Sequence, residues 1–338
     1  MTCENPPRNG EGDVAANSDM PGAYRSREVG SQSEPGPQHG GGGPPPHHDE
    51  STASKTVGTA CRSVLTTADP LAKIKAARQA ARDWRLGRLG WSFDAAMPDR
   101  PARPDRPELL PPNKMARRGK GGSVANRIAL LHALAHIEFA AIDLAFDLIG
   151  RFGARFPRAF VDDWMNVGAD EAMHFAILDR RLRQLGSCYG ALPAHDGLWE
   201  AAEVTAGDAL ARLAIVPMIL EARGLDVTPQ TIARFEAAGD AASAQPLRRI
   251  LRDEVVHVAA GVKWFRFGCV ARNDSPQETW KKLVSAYFPG SLKPPFNDSA
   301  RAAAGLTPDF YMAVADPHAH AAQKFRRRGE GHFSKANA

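Results

Sequence analysis

From Ser123 to about Asn273, apolar residues recur three and four positions apart in runs far longer than a strand, with few β-branched alternations between them. That periodicity predicts an all-α core of long helices. The first runs from a cap at Ser123 to about Gly150, and the second from near Pro157 to Leu185, where Gly186 stops it. A third begins near Gly207 or earlier and ends at Arg223–Gly224, followed by a short helix from Thr228–Pro229. The last long one runs from about residues 243–246 to Arg272. Pro217 removes a backbone donor inside the third helix and predicts a kink or a local bulge there.

Outside this core the pattern fades. Residues 1–50 hold 9 Gly and 8 Pro with almost no large apolar side chains, so residues 1–55 are expected to form a disordered tail. Its pair His47–His48 carries no assigned role. Residues 56–122 comprise a helical segment over 70–92, bearing Leu71, Ile74, Ala77 and Ala81, and a proline-punctuated strap from Pro98 to Pro112. After the core at 123–273 come a C-terminal wrap over 274–315, with a short helix at 298–304, and a basic flexible tail over 316–338.

Composition narrows the function classes. The 338 residues are 43% hydrophobic and 24% charged, and no window approaches the roughly 18 uninterrupted apolar residues of a membrane span. The net charge of +5 is too mild for a chain devoted to nucleic acid. Cys3, Cys61, Cys188 and Cys269 form no CxxC pair, which argues against a disulfide framework, a zinc knuckle or an iron–sulfur cradle. With no apolar leader behind a basic start, a cytoplasmic location is expected.

The chemistry lies in acids on apolar faces. The pattern E-x-x-H occurs twice, as Glu171–His174 and Glu254–His257, and at that spacing the carboxylate and imidazole leave one side of a helix. Glu171 shares its face with Phe160, Trp164, Val167, Phe175 and Leu178; Glu254 shares its own with Leu247, Ile250, Leu251, Val258 and Phe265. Buried charges demand partners. Glu138 lines up with Leu131, Ile142 and Ile149 on the first helix, whereas His136, Asp143 and Asp147 project from its opposite side. On the third helix Glu221 lines up with Leu210, Ala214 and Met218, and Arg212 and Arg223 point away.

The spacings repeat. Glu138 to Glu171 and Glu221 to Glu254 are each 33 residues, and the second Glu, Glu, His set comes 83 residues after the first. Two helix pairs, each offering Glu and then E-x-x-H, are what a pseudo-twofold four-helix bundle needs to hold two metal ions between its helices. Four carboxylates balance two divalent cations, which explains why acids are placed in a core. The metal ligands are therefore expected to be Glu138, Glu171, His174, Glu221, Glu254 and His257. Asp170 and Asp253 make both motifs D-E-x-x-H and are candidates to take the outer N–H of a ligand histidine, the alternative being ordinary surface aspartates.

At these residues the chain resembles the ferritin-like superfamily, and more narrowly the family known as domain of unknown function 455. The resemblance is carried by residues 131–138, 170–174, 215–226 and 251–257, and by Arg103–Leu109 and Lys293–Asn297, so that it covers roughly 70–312. It implies a ferritin-like bundle and a metal site but names no reaction. Within the superfamily a distant similarity to the tRNA hydroxylase of 2-methylthio-isopentenyl adenosine makes tRNA a candidate substrate, which the basic segments 115–120 and 324–328 would suit.

Three functions compete. The first is an O2-activating di-iron hydroxylase or oxygenase, with manganese or a mixed Mn/Fe pair as alternatives to iron, an unidentified substrate and an external electron donor. The segments flanking the bundle favour it, as material for a pocket and lid. Tyr24, Tyr189, Tyr287 and Tyr311 all fall outside the main predicted helices, which argues against a stable tyrosyl radical. The second is iron oxidation, storage or peroxide scavenging, and the third a non-catalytic helical scaffold, which would leave the buried acids without neutralising partners except insofar as His174 and His257 are protonated.

Overall fold

The computed structural model describes residues 55–115, 122–289 and 291–315. The expected tail up to residue 54 with His47–His48, nearly all of the basic segment 115–120, and the tail over 316–338 lie outside the described residues.

The described chain is helical. Its elements are α1 (Val57–Leu65), α2 (Pro70–Arg85), α3 (Val124–Phe152), α4 (Arg158–Gln184), α5 (Gly197–Val204), α6 (Ala209–Ile215), α7 (Ala222–Ala237), α8 (Ala241–Val270), α9 (Pro276–Tyr287), α10 (Asp298–Ala303) and α11 (Pro308–Tyr311). Among the described residues there is no β-strand, only isolated bridges such as Leu109 with Ala194. Ser123 caps α3 where predicted, accepting from the amide of Asn126, and Asp240 caps α8 a few residues ahead of the expected start, accepting from that of Ser243. Past α4, Gly186 takes the left-handed conformation (φ +77°) that ends the helix.

α3 packs along α4, α8 packs against α6 and α7, and α4 meets α8, so the two E-x-x-H helices are neighbours. α1 lies on α3, and α2 on α4. The proline-rich stretch after α2 is tied down at several points, the amide of Ala102 donating to Leu65 and that of Leu110 to Ala194. At the C-terminal end, α9 rests on α6 and α8, and α10 on α7 and α8.

Several expectations need correction. The helix expected over 70–92 stops at Arg85, because the chain turns at Gly87 (φ +67°). α1 has no counterpart in the sequence reading. The break expected at Arg223–Gly224 is absent, and α7 continues through Pro229. A proline inside a helix strands the carbonyl four residues earlier. Here that carbonyl, of Leu225, accepts from Nδ2 of Asn297 at 3.1 Å.

His136, Asp143, Asp147 and Arg212, expected on the sides facing away, are all buried. Asp147 pairs with Arg212 at 2.6 Å, Asp143 with Lys73, and His136 with the hydroxyl of Tyr189 at 2.9 Å. α3 is covered on both sides. By length and composition the helical stretch Val124–Arg155 would suffice to cross a membrane, but 72% of its most apolar 18-residue window is buried inside this fold. Cys61 and Cys269 are free, buried thiols.

Candidate metal centre

The four long helical segments each contribute acids to one buried cluster. α3 supplies Glu138, α4 supplies Glu171 and His174, and α8 supplies Glu254 and His257. Glu221 comes from the segment between α6 and α7, where the backbone widens into a π-helical turn over Val216–Glu221. This is the local bulge expected at Pro217. A π turn inserts a residue into the helical repeat and re-aims the side chains beyond it, and such turns concentrate at functional sites.

Glu138, Glu171, His174 and Glu254 each place one donor atom within 4.8 Å of all the others, and all four residues are buried. Nδ1 of His174 lies 3.3 Å from Glu138 and 3.4 Å from Glu171. Nδ1 of His257 lies 2.9 Å from Glu171 and 3.9 Å from Glu254. Glu221 is the most accessible of the acids, half-buried as a residue, and its charge is felt by Glu254. These distances bring together five of the six sequence-predicted residues, and Glu221 is linked to them through its charge.

The acids in front of the motifs cross over. Asp253, from the second motif, meets Nε2 of His174 at 3.0 Å, and Asp170, from the first, lies 3.6 Å from Nε2 of His257. Each aspartate stands at the outer nitrogen of the other motif's histidine. Sequence reasoning missed Arg249, whose Nε donates to Asp253 at 2.5 Å; the signal was its position four residues before that acid on one helix face.

The electrostatics reflect the crowding of acids in a dry place. Burial, then the charge of Glu171, pushes Glu138 up to about 8, with His174 opposing. The same two causes push Glu221 up to about 8, with His257 opposing. Glu254 is raised well above the usual carboxyl range by burial and by Glu171. Glu171 is the exception: burial penalises its charge, but the imidazoles of His257 and His174 outweigh that and hold it well below the usual range. Burial likewise opposes charge on the histidines. Glu138 and Glu171 nonetheless lift His174 to about 12, and Glu171 with Asp170 lifts His257 well above its ordinary value.

The protein atoms leave this cluster unsatisfied. Oε2 of Glu138, Oε1 of Glu171, Oε2 of Glu221, Oε2 of Glu254 and both ring nitrogens of His257 are buried without a well-aligned hydrogen-bond partner. Leaving such atoms unpaired is costly, and a cation removes the cost by taking their lone pairs. The buried Glu and His group can hold a metal ion.

The family model described as "Protein of unknown function (DUF455)" matches residues 66–312. An uncharacterized protein of Haemophilus influenzae is 38% identical over 210 residues, which span 60% of this chain and 73% of that protein. No solved structure matches.

Proposed function

The chain belongs to the DUF455 family of unknown function, and from that premise we propose that it is a ferritin-like di-iron carboxylate protein that activates O2 to oxidise a substrate. The observation that carries this reading is the set of buried oxygen and nitrogen atoms on Glu138, Glu171, Glu221, Glu254 and His257 that lack a well-aligned hydrogen bond. Four carboxylates and two imidazoles fit two divalent cations by charge and by donor type, iron and manganese alike. The repeat of 83 residues between the two ligand sets supports a pseudo-twofold bundle as the frame.

When bound, a ferrous pair supplies the electrons for reducing O2 and the oxidising power for the substrate. The protein's own part is structural and electrostatic. Glu171, ionised and lying between both histidines, is suited to serve both positions, while Glu138 and Glu221 exchange their protons for the cations. Asp253 and Asp170 stand where they can orient the imidazoles from outside. Electrons come from an external donor in this reading.

The test is elemental analysis of protein from iron-supplemented cells beside Glu171→Ala and Glu254→Ala, with O2 uptake monitored after anaerobic Fe(II) loading. Support would be about two Fe per chain, lost in both variants, with stoichiometric O2 consumption and no mineral. Growth of a large iron core would make the protein an iron store, and absence of metal from the wild type would leave a helical scaffold.

A further inference from the structure

The two halves of the centre use the same residue types, yet their supports differ. Nε2 of His174 meets Asp253 at 3.0 Å, and the same Oδ2 accepts from Nε of Arg249 at 2.5 Å. The matching contact between His257 and Asp170 is longer, at 3.6 Å, and the Asp170 side chain is 41% exposed against 19% for Asp253. Among the described residues within ion-pair distance Asp170 meets His257, and the guanidinium of Arg249, bonded to Asp253, acts on Asp170 only through its charge.

The inner side repeats the difference. The compact four-donor group contains His174, together with Glu138, Glu171 and Glu254, and does not contain His257. Both ring nitrogens of His257 lack a well-aligned hydrogen bond, whereas Nε2 of His174 is bonded to Asp253 and its Nδ1 to Glu171. Local geometry, outer support and exposure all favour one half.

We propose that the centre has two unequal cation positions: a tight one at His174, held ready by the chain Arg249–Asp253–His174, and an exchangeable one at His257 and Glu221. This rests on the di-metal reading above. Arg249 is a positioning residue. By fixing Asp253 it holds the His174 ring with Nδ1 facing Glu138 and Glu171 before any ion arrives, so less freedom is lost on binding. Asp170 stands partly in solvent and gives His257 no such restraint.

Co(II) is the probe, added anaerobically to the full metal-free chain, with its absorption bands reporting uptake and a stopped-flow chase into excess chelator reporting release. The wild type should take up about two ions and release them in two phases separated by roughly tenfold or more. Arg249→Gln should speed the slow phase by about ten- to a hundredfold, shift the absorption of that ion and leave the fast phase alone, and Arg249→Lys should restore part of the effect. Asp170→Asn should leave the slow phase in place. Unchanged melting of metal-free Arg249→Gln, a half-exposed site, separates positioning from loss of fold. Release of both ions in one phase, or wild-type release rates in Arg249→Gln, would overturn the proposal. Failure of the wild type to take up Co(II) would overturn the di-metal reading itself.

Discussion

The ring of Pro217 rests on the bare backbone of Gly261: a β-carbon at Gly261 would stand 2.5 Å from Cβ of Pro217 and 2.7 Å from its Cγ. This contact seats the π turn that carries Glu221 onto α8, one turn beyond His257. In Gly261→Ala the proline or the helix must move, and either shift carries Glu221 away from His257. Overpacking costs about 1–3 kcal/mol, against about 1 kcal/mol gained from better helix propensity. The expected outcome is lower stability in urea and weaker Mn(II) binding. A variant both more stable and unchanged in Mn(II) affinity would show that the contact does not hold Glu221.

The raised acids predict how stability depends on pH. Glu138 and Glu221 titrate at about 8 in the folded chain, against 4.5 as free carboxyls, so the folded state binds more protons than the unfolded state between those values. Stability of the metal-free protein therefore falls as pH rises from about 4.5 to about 8. Glu171, lowered, contributes above 4.5 and loses that contribution only as pH drops through its depressed value. His174 contributes fully below 6.5 and loses its part as pH climbs toward about 12, adding to the fall on the alkaline side. Bound cations replace the protons and remove the penalty. Melting temperatures of chelator-treated protein should drop between about pH 5 and 8.5, those of Mn(II)-loaded protein should not, and Glu221→Gln should flatten the metal-free slope. A flat metal-free profile would refute the assignment.

The cluster was legible because an acid on an apolar helix face is conspicuous: Glu138, Glu171, Glu221 and Glu254 each broke an otherwise hydrophobic stripe. That logic assumes one buried face per helix, and α3 has more than one. His136, Asp143 and Asp147 looked like an outer side because their cover comes from other parts of the chain, Lys73 of α2 and the loop at Tyr189 among them. Pro217 announced a missing donor, and the bulge is there. Pro229 read as the start of a new helix, but the helix runs through it, and the group that takes the freed carbonyl of Leu225, Asn297, is 72 residues away. Which histidine each aspartate serves was likewise unreadable, since it depends on the register of α4 against α8.

Lys73 and Asp143 form an ion pair with no exposure of either side chain, and Nζ of Lys73 also donates to the carbonyl of Ala102 at 3.1 Å. Burial lowers the lysine's pKa and raises that of Asp143 to about 6, with the pairing opposing both shifts. Lys73→Met would leave the buried carboxylate without its direct partner and only the charge of Arg103 acting on it, an expected loss of about 3 kcal/mol. Adding Asp143→Leu should recover most of it, since the pair would then be replaced by apolar volume. Urea denaturation of the single and double variants measures this, and equal stability of Lys73→Met and wild type would contradict it.

Arg301 and Asp226 join the C-terminal segment to α7 by two hydrogen bonds of 2.8 and 2.7 Å, and Oδ1 of Asp226 also accepts from the amide of Asn297 at 2.9 Å. The guanidinium is buried, stacked on Phe296 and Tyr311 with centroids at 5.0 and 4.6 Å. Asp226 stands five residues after Glu221, so this staple braces the helix leaving the π turn. Asp226→Asn keeps the shape but leaves a buried cation uncompensated, which should cost about 3–5 kcal/mol. Loosening should begin locally: amide exchange over residues 292–306 should accelerate by about tenfold or more before the core at α3 and α4 changes. Arg301→Lys should fail to restore protection, since an ammonium cannot reproduce the two-pronged contact. Wild-type exchange in that segment of Asp226→Asn would mean that apolar packing of Phe296 and Tyr311 alone secures the C-terminal end.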